Sequence, residues 1–319
     1  MVTQAAPASR RTWRRARARE LAAPFGGVVH RRHLRDAGIC RDEVRSELRG
    51  QRWTALGRHT IGIDTAEVPA AWSARAAWSA RAAWAVWETG SGAVLDGVSA
   101  LLAAGLENYT EDQIVVAVPR GTCPVRLPGV RVRSHRVIAP APVPGLPRMP
   151  IEVAVVNATT WAVSDRQAAL IVILAVQQRL TTAGRLTGEV SGRRRVRRRQ
   201  LLQDLLREVA GGVQALGELD FARLCRQHGL PEPSRQRVCR GPRGRIYLDV
   251  WWEELQVGVE IDGVQHQQGL SPVDDALRDN EVRLRGGPVL RIPSLGLITD
   301  PGGFMRQVRE LLGRAAMAR

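Results

Sequence analysis

Residues 244–266 read GRIYLDVWWEELQVGVEIDGVQH. Two runs of alternating apolar and polar residues flank Glu253-Glu254, which predicts two antiparallel strands joined by a tight turn at that pair. With the turn centred there, Trp252 pairs with Leu255, Asp249 lies opposite Gly258, and Tyr247 lies opposite Glu260. Side chains alternate between the faces of a strand. One face of the hairpin then carries Leu248, Val250, Val257, Val259 and Ile261 and needs a core to cover it. The other carries Tyr247, Asp249, Trp251, Gly258, Glu260 and Asp262. Three carboxylates thus gather on neighbouring strands beside a residue with no side chain.

Carboxylates held that close repel one another, and a divalent cation is the usual remedy. Oxygen ligands on adjacent strands suit Mg²⁺ or Mn²⁺ better than zinc. Such an ion, held by a few carboxylates with water positions left open, is common apparatus for phosphodiester hydrolysis. The alternative is an ordinary amphipathic hairpin whose acids face water. The rest of the chain bears on that choice.

With 319 residues the chain is expected to form two or three domains, and its 44% hydrophobic content is ample for packed cores. The net charge is +16, and all 47 basic residues are arginine. Codon bias in a GC-rich genome would explain that without any function. Yet the lack of lysine excludes a P-loop lysine, a Schiff-base lysine and the lysine that many metal nucleases place beside the metal. A pI near 11.4 points to a polyanionic partner, most simply nucleic acid. Cys40, Cys123, Cys225 and Cys239 are widely spaced and form no CxxC pair, so a zinc ribbon is unsupported. Buried or semi-buried thiols in a reducing cytoplasm are expected. Arg10, Arg11, Arg14 and Arg15 interrupt the first residues, against a secretory signal. The apolar stretch 168–176 is too short to cross a membrane, so no membrane partner is expected.

In chain order, residues 1 to about 15 read as a basic tail without fixed structure, followed by a short helix over 17–23 that Pro24-Phe25-Gly26-Gly27 ends. Val28, Val29, Leu34 and Ala37 line one side of a short element that Gly38 ends. A second helix over 41–49 turns Val44 and Leu48 inward and repeats Arg41, Arg45 and Arg49 on another face. Residues 53–63 read as a hairpin around Gly57. Helix, turn, helix and β-wing make a winged helix-turn-helix over residues 1–65, with Arg41, Arg45 and Arg49 as candidate DNA contacts. A small helical protein-interaction domain is the other reading.

Residues 66–212 form a mixed middle region. WSARAA occurs twice in tandem, at 72–77 and 78–83. Trp72, Trp78 and Trp84 are six apart, which on a helix does not place them on one face. Residues 94–106 read as helix, 113–118 and 130–134 as strands, 137–150 as a proline-rich connector, and 166–179 as a buried helix. His135 reads as a plain surface position. Residues 193–199 hold six arginines in seven. They are either a phosphate clamp or the solvated start of a helix whose Leu201, Leu202, Leu205 and Leu206 turn inward.

The C-terminal domain, 213–319, reads as a helix over 217–228, a strand over 235–239, the hairpin, a helix over 271–285, a strand over 288–292 and a final helix over 303–316. The fold class is therefore multidomain α+β or α/β, with a mixed middle region between the two ends.

Gly26-Gly27-Val28-Val29, Leu34 with Ala37-Gly38, and Arg52-Trp53 make the first sixty residues resemble the winged-helix domain of AbiEi-type antitoxins. The resemblance implies DNA binding. Further on come Gly229-Leu230-Pro231, Tyr247-Leu248-Asp249, Val259-Glu260-Ile261-Asp262-Gly263, His266, Arg278-Asp279-Asn280 and Val289-Leu290-Arg291. With these landmarks residues 216–295 resemble the PD-(D/E)XK, restriction-endonuclease-like fold, and more closely its relatives of the very-short-patch-repair endonucleases. That resemblance implies Asp249 and Glu260 as metal ligands, with Glu218 completing the site. It implies Asp262 where the usual motif carries lysine, as a further ligand or water-orienting base. It implies His266 as general base or phosphate holder, Asp279 orienting it, and Arg278 on a phosphate.

Two functions compete. The first is a Mg²⁺- or Mn²⁺-dependent endonuclease brought to DNA by its winged helix. The second is an antitoxin-like DNA-binding regulator whose nuclease-like domain is inactive. RNA remains open as a substrate, and a homodimer is compatible with either function.

Overall fold

The computed structural model describes residues 10–63, 74–211, 221–240, 246–262, 271–284 and 288–317. It is a mixed α+β chain with thirteen helices and three small sheets among those residues, and it divides into two compact units, Met1–Ala154 and Val155–Arg319. The division falls inside the segment read above as the middle region.

The first unit opens with α1 (Arg10–Ala22), β1 (Val28–His30), α2 (Arg31–Asp36), α3 (Arg41–Arg49), β2 (Trp53–Ala55) and β3 (Thr60–Ile63). The strands form an antiparallel sheet in the order β1-β3-β2. Ala18, Ala22, Val29, Leu34, Ile39, Val44, Trp53 and Ile61 are its buried core. Two expectations are corrected. Helix α1 begins at Arg10, not Arg17, because Arg10, Arg14 and Arg15 have carboxylate partners on α3. Val28 and Val29 belong to a strand, because β3 supplies its hydrogen-bond partner. The turn from α2 into α3 runs through Gly38 at φ +80°, a left-handed backbone that favours glycine. Gly26, also left-handed, lies so close to α4 (Ala74–Thr89) that a Cβ there would stand 2.1 Å from the Ala76 carbonyl oxygen.

Helix α4 packs on β1 and β3 and also on a second sheet. That sheet is β4 (Val94–Leu95), β5 (Ile114–Pro119) and β6 (Val130–His135), in the order β4-β5-β6, with β5 and β6 parallel. The segment expected to be helical from Val94 is strand first. Asp96 then caps α5 (Gly97–Ala103) by accepting from the Gly97 amide. At the far end of α4, Glu88 accepts from the amides of Arg58 and His59 at 2.8 Å each and from the Thr60 hydroxyl at 2.7 Å. This ties the β2–β3 turn to the helix. Gly57 leaves room for that carboxylate, since a Cβ there would meet the Glu88 carboxyl carbon at 2.4 Å.

The boundary between units falls within α6 (Ile151–Trp161). The second unit continues with α7 (Asp165–Gln177), α8 (Ala183–Gly192), α9 (Arg199–Gly211) and α10 (Phe221–Gln227). A four-stranded sheet follows: β7 (Arg235–Arg240), β8 (Ile246–Trp252), β9 (Val257–Asp262) and, after α11 (Ser271–Arg283), β10 (Val289–Pro293). Its order is β10-β9-β8-β7, with only β9 and β10 parallel. Helices α12 (Ser294–Thr299) and α13 (Pro301–Met317) close the chain. The expected order of helix, three strands, helix and strand is present; α12 was not foreseen. One face of the sheet buries Leu248, Val250, Trp252, Val259, Ile261 and Ile292 against Phe221 and Phe304.

The hairpin register differs from the expected one by two residues. Trp252 pairs with Val257, Asp249 with Glu260, and Tyr247 with Asp262. A two-residue turn at Glu253-Glu254 would need a left-handed backbone at one or both central positions, which glutamate disfavours. The loop instead spans residues 253–256 and confines positive φ to Gln256 (φ +54°). Because the side-chain period is two, this shift leaves every residue on its expected face and changes only its partner.

Candidate functional site

Register places four side chains in one row across the polar face of the sheet: Arg237, Asp249, Glu260 and Arg291. Residues directly opposite on antiparallel strands have Cβ atoms about 5 Å apart, so Asp249 and Glu260 are immediate neighbours. Arg235, one position along β7 on the same face, reaches diagonally to Asp249, with 3.0 Å between Nη2 and Oδ2. The Nε of Arg291 lies 3.2 Å from Glu260 Oε2. The charges therefore run plus, minus, minus, plus. The repulsion between the two acids, which the sequence suggested a cation would relieve, is offset here by two guanidinium groups. Asp249 and Glu260 keep 24% and 25% of their side-chain surface exposed, so both remain open to solvent. Asp262, half-buried, sits on the same face one row further, opposite Tyr247.

Two neighbours shape this row. The Trp251 ring lies across Gly258, where a Cβ would approach the ring carbon Cε3 to 2.1 Å, so the glycine is what lets the indole cover the adjacent row. Asn280, fully buried on α11, grips residue 291 from behind. Its Oδ1 accepts from the Arg291 amide at 3.0 Å, and its Nδ2 donates to the Arg291 carbonyl at 2.8 Å and to Gln307 Oε1 at 3.1 Å. The backbone that presents Arg291 to Glu260 is thereby fixed. Asp279, the next residue along, is exposed.

Among the described residues no group of three or more His, Cys, Asp or Glu is arranged to hold a metal ion. Glu218 and His266 lie outside the described residues, as does the side chain of Arg278. The donor chemistry that is described fits Mg²⁺ or Mn²⁺. Two solvent-accessible carboxylates in one register pair suit an ion that keeps several waters and takes one or two protein oxygens. Arg235, Arg291 and Asn280 were missed as site residues. For the arginines the signal was parity, since each stands at an outward position of its strand in RQRVCR and VLRIP.

On α3, Arg41, Arg45 and Arg49 are exposed as expected, with Arg45 paired to Asp42 at 2.9 Å. The opposite side of the helix carries Glu47, fully buried among Arg14, Arg15 and Arg52. Burial would raise this carboxyl, but hydrogen bonds from Arg52, Arg14 and Arg15 outweigh it and hold it at about 2. Glu43 is also held at about 2, chiefly by the hydrogen bond from Arg10 and despite some burial; it accepts from the Cys40 amide as well. The arginines read as a free basic tail are thus counter-ions that set α1 against α3.

Nearby, His30 stacks on His59 with ring centroids 5.5 Å apart, and Trp87 of α4 meets both His30 and His33 edge-on. The His30 Nδ1 accepts from the Arg32 amide and so caps α2. Burial lowers His30 and His33 below the ordinary imidazole value, and for His30 the neighbouring histidines add to it. In the second sheet His135 is not the plain surface position expected. Its Nε2 is 2.9 Å from Oδ2 of the fully buried Asp96. Cys40 and Cys123 are exposed rather than buried, whereas burial pushes the Cys225 thiol up to about 12. No described helix is long and apolar enough to cross a membrane.

Neither a family model nor a curated protein matches the chain. Among solved structures, the RV2827C protein from Mycobacterium tuberculosis is similar at 20% identity over 64% of this chain and 80% of that one, with a TM-score of 0.35.

Proposed function

We propose that the chain is a DNA-binding, divalent-metal-dependent endonuclease. In this proposal the first sixty residues are a winged helix-turn-helix of the AbiEi kind, and the four-stranded sheet with α10 and α11 is a restriction-endonuclease-like core. The observation that carries it is the register pair Asp249–Glu260, a quarter exposed on the polar face of a mixed sheet. A bound Mg²⁺ or Mn²⁺ would supply Lewis-acid activation of water and of the scissile phosphate. Asp249 and Glu260 would hold it, with Glu218 as the further ligand. Asp262 or His266 takes the proton from the attacking water as its oxygen bonds to phosphorus, and the ester P–O bond breaks with the leaving oxygen taking a proton from solvent. Arg291 stands beside Glu260, where its guanidinium would be at hand for a phosphate oxygen. It thereby offers the positive charge that lysine gives in the usual motif. Arg278, Arg41, Arg45 and Arg49 contact the nucleic acid.

A second reading has its own observation. Asp249 and Glu260 already have guanidinium partners, as they would in an antitoxin-like regulator that binds DNA without cutting it. Nicking of supercoiled plasmid with Mg²⁺ or Mn²⁺ separates the two. Metal-dependent nicking that Asp249→Ala and Glu260→Ala each abolish supports the nuclease. Salt-sensitive DNA binding with no nicking by any form supports the regulator.

A further inference from the structure

The arginine run between α8 and α9 divides into two sets. Arg193, Arg198 and Arg199 turn inward. Arg193 donates to Glu189 Oε1 at 2.6 Å and to Asn157 Oδ1 at 2.9 Å. Arg198 donates to Asp165 Oδ1 at 2.6 Å and to the carbonyls of Thr159 and Ala162 at 2.9 and 3.0 Å, which caps the end of α6. Its side chain is only 11% exposed. Arg199 donates to the Val190 carbonyl at 2.9 Å and to that of Arg193, closing the end of α8. Arg198 adopts φ +61°, a left-handed backbone unusual for a side-chain-bearing residue, and its three hydrogen bonds hold it there.

Arg194, Arg195 and Arg197 are exposed, and among the described residues no carboxylate pairs with them. A solvated helix start would leave all six side chains to water. Here three are used to fix the loop, and the fixed loop presents the other three.

We propose that Arg194, Arg195 and Arg197 form a preset anion-binding loop that contacts the phosphodiester backbone of nucleic acid, independently of base sequence. This rests on the nucleic-acid reading of the chain and adds to it a contact outside both the winged helix and the sheet. The guanidinium fork matches phosphate oxygens in pairs, and a prearranged loop loses little freedom on binding. A membrane surface fits less well. A segment that binds there brings large apolar side chains to bury, and this loop offers only the half-buried Val196.

The test is binding of the full chain to duplex DNA of arbitrary sequence by fluorescence anisotropy across a KCl series. It compares the native protein with the triple substitution Arg194→Gln, Arg195→Gln, Arg197→Gln and with its lysine counterpart. Each phosphate contact contributes about 0.9 to the slope of log K against log salt. The glutamine variant should therefore have a slope shallower by about 2.7, at an unchanged melting temperature, while the lysine variant keeps the native slope. Arg198→Gln should instead lower the melting temperature, as expected of a clamp. An unchanged slope in the glutamine variant, with the native chain binding normally, overturns the loop proposal alone. Absence of DNA binding by the native chain overturns the nucleic-acid reading and the loop with it. Loop-dependent binding to phosphatidylserine vesicles with no loop-dependent change on DNA overturns the choice of partner.

Discussion

Glu47 in the first unit and the Asp249–Glu260 pair in the second are both held by arginine, but in opposite settings. Glu47 is fully buried and shared among Arg14, Arg15 and Arg52. Asp249 meets the guanidinium of Arg235 and Glu260 that of Arg291, and both acids stay about a quarter exposed. A buried ion pair has given up its water, so removing one partner strands the others without compensation. An ion pair that keeps part of its surface in water contributes less and can be given up at little cost. The same two residue types thus make a fastening in one place and an exchangeable site in the other, and solvent access decides which.

The largest expected effect breaks the fastening. Glu47→Gln should destabilise the first unit by about 3 kcal/mol, whereas Asp249→Asn should cost under about 1 kcal/mol. Urea unfolding of the two variants measures both, and equal midpoints would erase the distinction. Asn280→Ala comes next. It removes the hydrogen bonds on both sides of residue 291 and should cost about 2 kcal/mol. If the exchangeable site depends on a fixed Arg291, nicking by this variant should fall as well, at a denaturant-free temperature where it is fully folded.

The smallest effect is in pH. Glu43 and Glu47 have carboxyls lowered from 4.5 to about 2, so the unfolded chain binds more protons between those values. Their contribution is complete above 4.5 and is lost as the pH falls towards 2. His30 and His33 are lowered from 6.5, so their contribution is complete above 6.5 and is lost on acidification below it. Melting temperature against pH should therefore fall in two stages, and Glu47→Gln should flatten the lower one only.

How much of this could be read beforehand follows from what each feature depends on. The polar face of the hairpin was legible because strand periodicity is local and survives an error of two residues in register. The pairing of Asp249 with Glu260 was not, since it depends on how the 253–256 loop divides its backbone strain. Arg291 and Asn280 escaped because their roles come from strands and helices brought together across the fold. Arg10 and Arg14 were misread for the same reason. A basic run looks free in sequence until the acids it meets, 29 to 33 residues away, are brought against it. Lowered carboxyls at Glu43 and Glu47 are consequences of that meeting and have no local signature.

The three hydrogen bonds from the β2–β3 turn to Glu88 have a mechanical consequence. Helix α4 also backs β5, so the turn, the helix and the second sheet form one strut. A load applied at residues 58–60 would reach β5 through α4, so the tip of that hairpin is coupled to the second sheet by way of one helix.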